Sequence, residues 1–262
     1  DSTEAVSFDY QMEIGLSTSF TGEDSLDATI VAGATKSTVT ASEAGQILDF
    51  KKTGSGLTVD SLAYTFPLGE ATVVVGDATD ISTTFTGACV YSSFTDHLSK
   101  CGTGLSLGVE NKGVTASVSR AFDSGFSVAG GISSTNSALL TKEGSDLFAI
   151  EAAYTADTYG VAVGYVSDDG GTGAETTYWG VNAYYTPEST NLPSISVGTE
   201  SEETSGATKT GYFVGLTWSE VGPGSLSLAT GTSANFLDTD TQLLTYEASY
   251  SYDINDGITI TP

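Results

Sequence analysis

Apolar and polar residues alternate along most of this chain. In SFDYQMEIGLSTSF (7–20), Phe8, Tyr10, Met12, Ile14, Leu16, Thr18 and Phe20 fall on one side, and Asp9, Gln11, Glu13, Gly15, Ser17 and Ser19 on the other. TYGVAVGYVS sets Tyr159, Val161, Val163 and Tyr165 against Gly160, Ala162 and Gly164. TYWGVNAYYT sets Trp179, Val181, Ala183 and Tyr185 against Tyr178, Gly180, Asn182 and Tyr184. GYFVGLTWS and TYEASYSYDI repeat the pattern around Tyr212–Trp218 and Tyr246–Ile254. A sustained period of two is the strand signature. These runs exceed the five or six residues usual in globular strands and suit the roughly nine to eleven of a tilted strand crossing a bilayer.

Read this way, the chain holds fourteen wall segments: 7–20, 25–35, 57–66, 70–77, 113–122, 125–133, 146–156, 158–167, 175–186, 192–200, 208–218, 224–232, 241–252 and 257–262. The connections alternate in length. Short ones lie at 21–24, 67–70, 123–125, 156–158, 186–191, 220–224 and 253–257; long ones lie at 36–56, 78–112, 134–145, 168–174, 201–207 and 233–240. Up-and-down outer-membrane barrels have this asymmetry, with short turns at one rim and long loops at the other. Aromatic residues cluster near the ends of the apolar faces, where interfacial girdles would place them. The expected fold is all-β: an up-and-down antiparallel transmembrane β-barrel over 1–262, about fourteen strands here and sixteen in an intact protein trimmed at both ends. The other reading of the aromatics is an ordinary sandwich core.

Composition narrows the function. Gly is abundant (31), Pro scarce (5), and there are 13 Tyr and 11 Phe. This suits strands and not helices. Thirty-three acidic residues against eight basic ones give a net charge of −25. Such a surface repels phosphates, which sets aside nucleic acid as a partner. No apolar run reaches helix-spanning length, which says nothing against a barrel.

Candidate chemistry is sparse. His97 is the sole histidine and Arg120 the sole arginine. No nucleophile elbow, P-loop or zinc helix is present, so no enzyme, catalytic residue, cofactor or metal site is expected. SDDGGTG (167–173) is acidic and Gly-rich but lacks the ligand spacing of a dedicated calcium loop, and reads as a solvated loop. Cys89 and Cys101 are the only cysteines; closing a short polar loop, they fit a disulfide in an oxidising compartment. If apolar faces meet lipid, the opposite phase lines the pore, and Asp9, Gln11, Glu13, Asp27, Glu151, Glu247 and Asp253 fall on it. No Lys or Arg falls as clearly there, and Arg120 shares its phase with Val114, Ala116 and Val118. Carboxylates in a narrow channel favour cations.

Three stretches, STSFTGEDSLDATIVAG (17–33), LAYTFPLGEATVVVG (62–76) and NDGITITP (255–262), resemble segments of cyanobacterial outer-membrane porins of the carbohydrate-selective porin family. The resemblance implies a sixteen-stranded barrel in the outer membrane of a Gram-negative-type envelope, a homotrimer, and attachment to peptidoglycan or another cell-wall polymer through a segment outside this sequence. It also implies a constriction role for the long loop 78–112, which carries Cys89, Asp96, His97 and Cys101. That loop folds into the lumen on one reading and points outward, stapled against proteases, on the other. The expected function is passive diffusion of inorganic ions and small polar solutes, weakly cation-preferring. The alternative is a secreted acidic β-sandwich adhesin or surface-structural protein.

Overall fold

The computed structural model describes residues 10–33, 53, 56–92, 113–134, 139–141, 144–189, 191–232 and 244–261. Fourteen strands follow one another: β1 (Gln11–Thr18), β2 (Ser25–Gly33), β3 (Thr58–Leu68), β4 (Ala71–Thr79), β5 (Gly113–Ala121), β6 (Phe126–Ser134), β7 (Asp146–Thr155), β8 (Tyr159–Asp168), β9 (Thr176–Tyr185), β10 (Ser194–Thr204), β11 (Ala207–Val221), β12 (Gly224–Thr232), β13 (Leu244–Asn255) and β14 (Ile258–Ile260). Each pairs antiparallel with its chain neighbours, forming one up-and-down sheet in the order β1 to β14. The only helical piece among the described residues is a 3-10 turn, Ile81–Thr84, after β4.

All fourteen expected wall segments are strands, with shifted ends. The largest departure is the long loop expected at 201–207. Thr204 instead pairs with Ala207 across a two-residue turn, so β10 and β11 run on to meet. Ser205 and Gly206 both take positive φ, 53° and 80°, the paired conformation a tight hairpin needs. The acidic run Glu200–Glu202–Glu203 suggested a solvated loop, but cross-strand pairing with Lys209 and its neighbours holds it in the ladder. The strict alternation of short and long connections is broken at this point.

Register fixes two faces. On one, rows such as Ile150–Tyr165–Trp179 and Ala152–Val163–Val181 run across neighbouring strands. This face is apolar and exposed: Ile14, Leu16, Val128, Val163, Val181, Val197 and Val214 are all open, Leu16 by 55%. Near the long-connection rim it carries Phe148, Tyr165, Trp179, Tyr212 and Tyr246. Near the short-turn rim it carries Tyr154, Tyr159, Tyr185, Trp218 and Tyr252. The two members of each pair sit six residues apart on one strand, about 20 Å along it and roughly 14–17 Å in height at barrel tilt. Valine, leucine, isoleucine and alanine fill most of the space between, with Tyr250 as an added ring on β13.

The opposite face is small and polar: Gly164, Gly180, Gly198 and Gly215 with Ser117, Asn182, Ser196, Ser227 and Ser249. No second sheet packs against either face among the described residues, so a β-sandwich lacks its other layer. Three buried apolar clusters are found: Ile81 with Leu147, Ala149 and Val166; Ala88 with Ala153 and Ala162; and Tyr91 with Phe213 and Ala229. Each takes one member from the segment after β4 and the rest from the small-residue face. The core is where that segment lies on the wall.

The turn between β1 and β2 shows how a short connection is locked. One Asp24 carboxylate oxygen accepts from the Ser19 hydroxyl (2.7 Å), the Phe20 and Thr21 amides (3.0 and 2.8 Å) and the Thr21 hydroxyl (2.8 Å). The other accepts from the Tyr64 phenol at 2.6 Å. These donors, Tyr64 foremost and then Ser19, hold the carboxyl well below the usual carboxylate range.

Candidate functional site

The segment from Ile81 to Tyr91 leaves the long-connection rim and crosses the polar face. Ile81 begins it, buried against Leu147 on β7 and Val166 on β8. Asp80 caps the 3-10 turn by accepting from the Ser82 amide. From Phe85 the backbone is extended and lacks a ladder partner of its own, so its amides need acceptors. The wall supplies them at every second residue, as a strand period requires. The Thr86 amide donates to Glu151 Oε1 on β7 (2.5 Å), the Ala88 amide to Asn182 Oδ1 on β9 (3.3 Å), and the Val90 amide to Ser196 Oγ on β10 (3.0 Å). The Tyr91 amide shares that serine at 3.1 Å.

Register explains why these three side chains line one path. Glu151 shares a row with Gly164 and Gly180; Asn182 lies one inward-facing position nearer the short-turn rim, and Ser196 one further. Strands in a barrel tilt, so a path at constant height steps across successive rows. Ser196, Gly215, Ala229 and Glu247 then form one row across β10 to β13. The Tyr91 ring lies along it, against Phe213 at 5.3 Å between centroids, and its hydroxyl donates to Glu247 Oε1 at 2.7 Å. Gly215 makes this seat: a Cβ there would come within 2.6 Å of the Tyr91 ring. Burial, and then the Glu247 carboxylate, push the Tyr91 phenol above its ordinary range. The protonated phenol is therefore the form that anchors.

The polar side chains expected along this face separate into two groups. Gln11, Glu13, Asp27 and Asp253 stand on β1, β2 and β13, away from the crossing segment. Gln11 is opposite Gly33, Glu13 opposite Val31 and Asp253 opposite Thr259. Asp27 is held by the hydroxyls of Ser17 and Ser25. Glu151 and Glu247 share the same face but are only 5% and 8% exposed, because the segment covers them. They hold polypeptide where the sequence suggested open water. Asp9, Asp96, His97 and Cys101 lie outside the described residues. Cys89 is disulfide-bonded and packs beside Tyr91 and Phe213.

Sequence reasoning missed five side chains. Asn182 and Ser196 were legible as the polar members of small-residue stripes. Nothing in the chain, however, signalled that a segment about a hundred residues earlier would use them. Glu200 and Glu202 continue the inward phase of β10, and Lys209 faces Glu202 across the ladder. The expectation of no clear inward cation is corrected here: Lys209, near the start of the expected segment 208–218, shares the inward phase of Phe213 and Gly215. Arg120 holds the opposite phase as expected, paired with Glu70 and lying over the Phe122 ring.

The up-and-down antiparallel sheet of this chain is similar in fold to solved porins. Two engineered variants of a Rhodopseudomonas blastica porin superpose over 97% of this chain and 83% of theirs, with a TM-score of 0.57 each, at 11% and 14% identity. A structure described under asymmetric conductivity of engineered proteins matches over the same shares at 13% identity and a TM-score of 0.57. At such identity the likeness is one of fold. No protein-family model matches the chain, and no curated protein matches it by sequence.

Proposed function

We propose that this chain forms an outer-membrane channel of the porin type, passing inorganic ions and small polar solutes by passive diffusion. One observation carries the reading. The wall has an open apolar face between two aromatic belts, and its other face is polar and crossed by a segment held through side-chain acceptors. Soluble monomers rarely expose contiguous apolar patches beyond a few hundred Å². Acyl chains outside and water inside satisfy both faces.

The crossing segment then acts as the constriction, and the Cys89–Cys101 disulfide keeps the remainder of the 78–112 loop compact. Permeation runs past the part of the wall the segment leaves open, where Glu13, Asp27 and Asp253 favour cations. We place a homotrimer contact on β2–β6. The upper belt has no ring on those strands among the described residues, whereas β7, β8, β9, β11 and β13 each carry one. Rings mark where a wall meets headgroups, and a sector lacking them suits a protein neighbour. The resemblance of 17–33, 62–76 and 255–262 supports membership of the cyanobacterial carbohydrate-selective porins. It likewise supports attachment to cell-wall polymer through a segment outside this sequence.

Planar-bilayer recording in asymmetric KCl tests the reading. Stepwise ohmic conductance with a reversal potential on the cation side is expected. The triple variant Glu13→Gln, Asp27→Asn, Asp253→Asn should shift that potential toward anions. Absence of conductance from the folded, detergent-extracted protein would overturn the channel. An unmoved potential would remove these acids from the permeation path.

A further inference from the structure

A groove of about 410 Å³ opens on the outer, apolar face. Its walls are Val128 on β6, Ile150 on β7, Val163 and Tyr165 on β8 and Trp179 on β9, and Ala152 forms its floor. The floor is low for a reason the register gives. Ala152 stands between Val128 and Val163 in one row, and Gly130 faces Ile150 in the next. Two small residues thus sit where neighbouring strands carry branched ones. On the side toward the long-connection rim, Tyr165 and Trp179 are register partners with ring centroids 4.7 Å apart and form a stiff wall.

The chemistry of the lining restricts the occupant. Ala129, Glu151 and Gly164 also border the groove through their main chain, and phase turns the Ala129 and Glu151 side chains to the other face. Glu151 is engaged there by the Thr86 amide. Main-chain groups of β6 to β9 are used in the ladder. Below the Tyr165 hydroxyl and the Trp179 indole N–H at its upper end, the groove offers a polar ligand or an extended peptide only aliphatic side chains, and burying polar groups unpaired there is costly. Hydrocarbon carries no such penalty. All its walls but Val128 stand on β7 to β9, whose upper belt is intact and which face lipid on the reading above; Val128 on β6 marks its edge toward the trimer contact, and the groove opens beside the belt's rings.

We propose that this groove seats one acyl chain of a membrane lipid from the leaflet on the long-connection side, with the headgroup level with Tyr165 and Trp179. The site rests on the outer-membrane reading and adds a defined lipid contact to it. Any chain can lie on a barrel wall; here the recessed Ala152 floor and the ring pair give one chain more contact than the surrounding surface does.

Trp179 reports on the site, and Trp218, the only other tryptophan, lies at the opposite rim. Trp218→Phe and Trp179→Phe would each be reconstituted in phosphatidylcholine vesicles containing a graded fraction of lipid with brominated acyl chains, which quench indole emission on contact. Brominated and plain chains enter the groove in proportion to their amounts, so a chain seated against Trp179 adds one quenching contact. Trp179 should therefore be quenched more deeply than Trp218 at every brominated fraction. Filling the groove with Ala152→Phe, or separately with Val163→Phe, should remove the difference in any variant that keeps heat-modifiable migration. Equal quenching of the two tryptophans, or a difference that survives both filling substitutions, would overturn the site. Failure of the single-tryptophan proteins to enter vesicles at all would instead bring down the membrane reading.

Discussion

Tyr91 is held from three directions: its amide by Ser196, its ring by Phe213 over Gly215, and its hydroxyl by Glu247. Removing the hydroxyl in Tyr91→Phe keeps the packing but takes the phenol proton from a buried carboxylate. The expected loss is about 1–3 kcal/mol, read as a lower midpoint in the heat-modifiable gel transition. Glu247→Gln should cost less, because an amide oxygen still accepts the phenol proton. Gly215→Val should cost about as much as Tyr91→Phe or more, since overpacking of this kind runs to about 1–3 kcal/mol and the ring has no free side to move toward. A Gly215→Val protein as stable as the parent would refute the seat. The raised Tyr91 phenol adds a pH direction: its anchoring is complete below about pH 10 and weakens as alkali rises through its higher folded value. Asp24 gives the acid counterpart. Its depressed carboxyl stabilises the β1–β2 turn at pH values above about 3.9 and loses that effect as pH falls toward the folded value. Asp24→Asn should therefore melt below the parent at neutral pH, with the gap closing in acid. A gap that widened in acid would contradict the assignment.

At the scale of elements, the strands were legible because period-two alternation is a local property of sequence. Tyr159, Val161, Val163 and Tyr165 declare their face without help from any neighbour. The segment after β4 was not legible in the same way. Ile81, Ala88 and Tyr91 look like loop residues until Leu147, Ala162 and Phe213 are brought beneath them by the successive pairing of β4 to β11. Its acceptors Glu151, Asn182, Ser196 and Glu247 are separated in sequence by 65 to 156 residues from the groups they hold. The acidic tip of β10 misled for the opposite reason: local charge suggested solvent, and the turn at Ser205–Gly206 decided otherwise. Because the segment is attached chiefly by amide-to-side-chain bonds, its hold is divisible. Asn182→Ala with Ser196→Ala removes three acceptor contacts, each worth about 0.5–1.5 kcal/mol. Single-channel recordings of that double variant should show larger and noisier conductance than the parent. An identical trace would mean that the segment does not bound the path.

For the whole molecule, the arrangement inverts that of an ordinary globular protein. Its large apolar side chains face outward, and its buried contacts lie where a segment crosses a polar wall. Stability then depends on the medium on both sides, which makes the two-sidedness of the wall the central claim. It is tested most directly by single cysteine substitutions at Glu13, Ile14, Gly15, Leu16, Thr29 and Ile30, read with a water-soluble thiol reagent on protein in lipid vesicles. Labelling should alternate, with positions 13, 15 and 29 reacting and positions 14, 16 and 30 protected. Reaction at 14, 16 and 30 equal to that at 13, 15 and 29 would contradict the account.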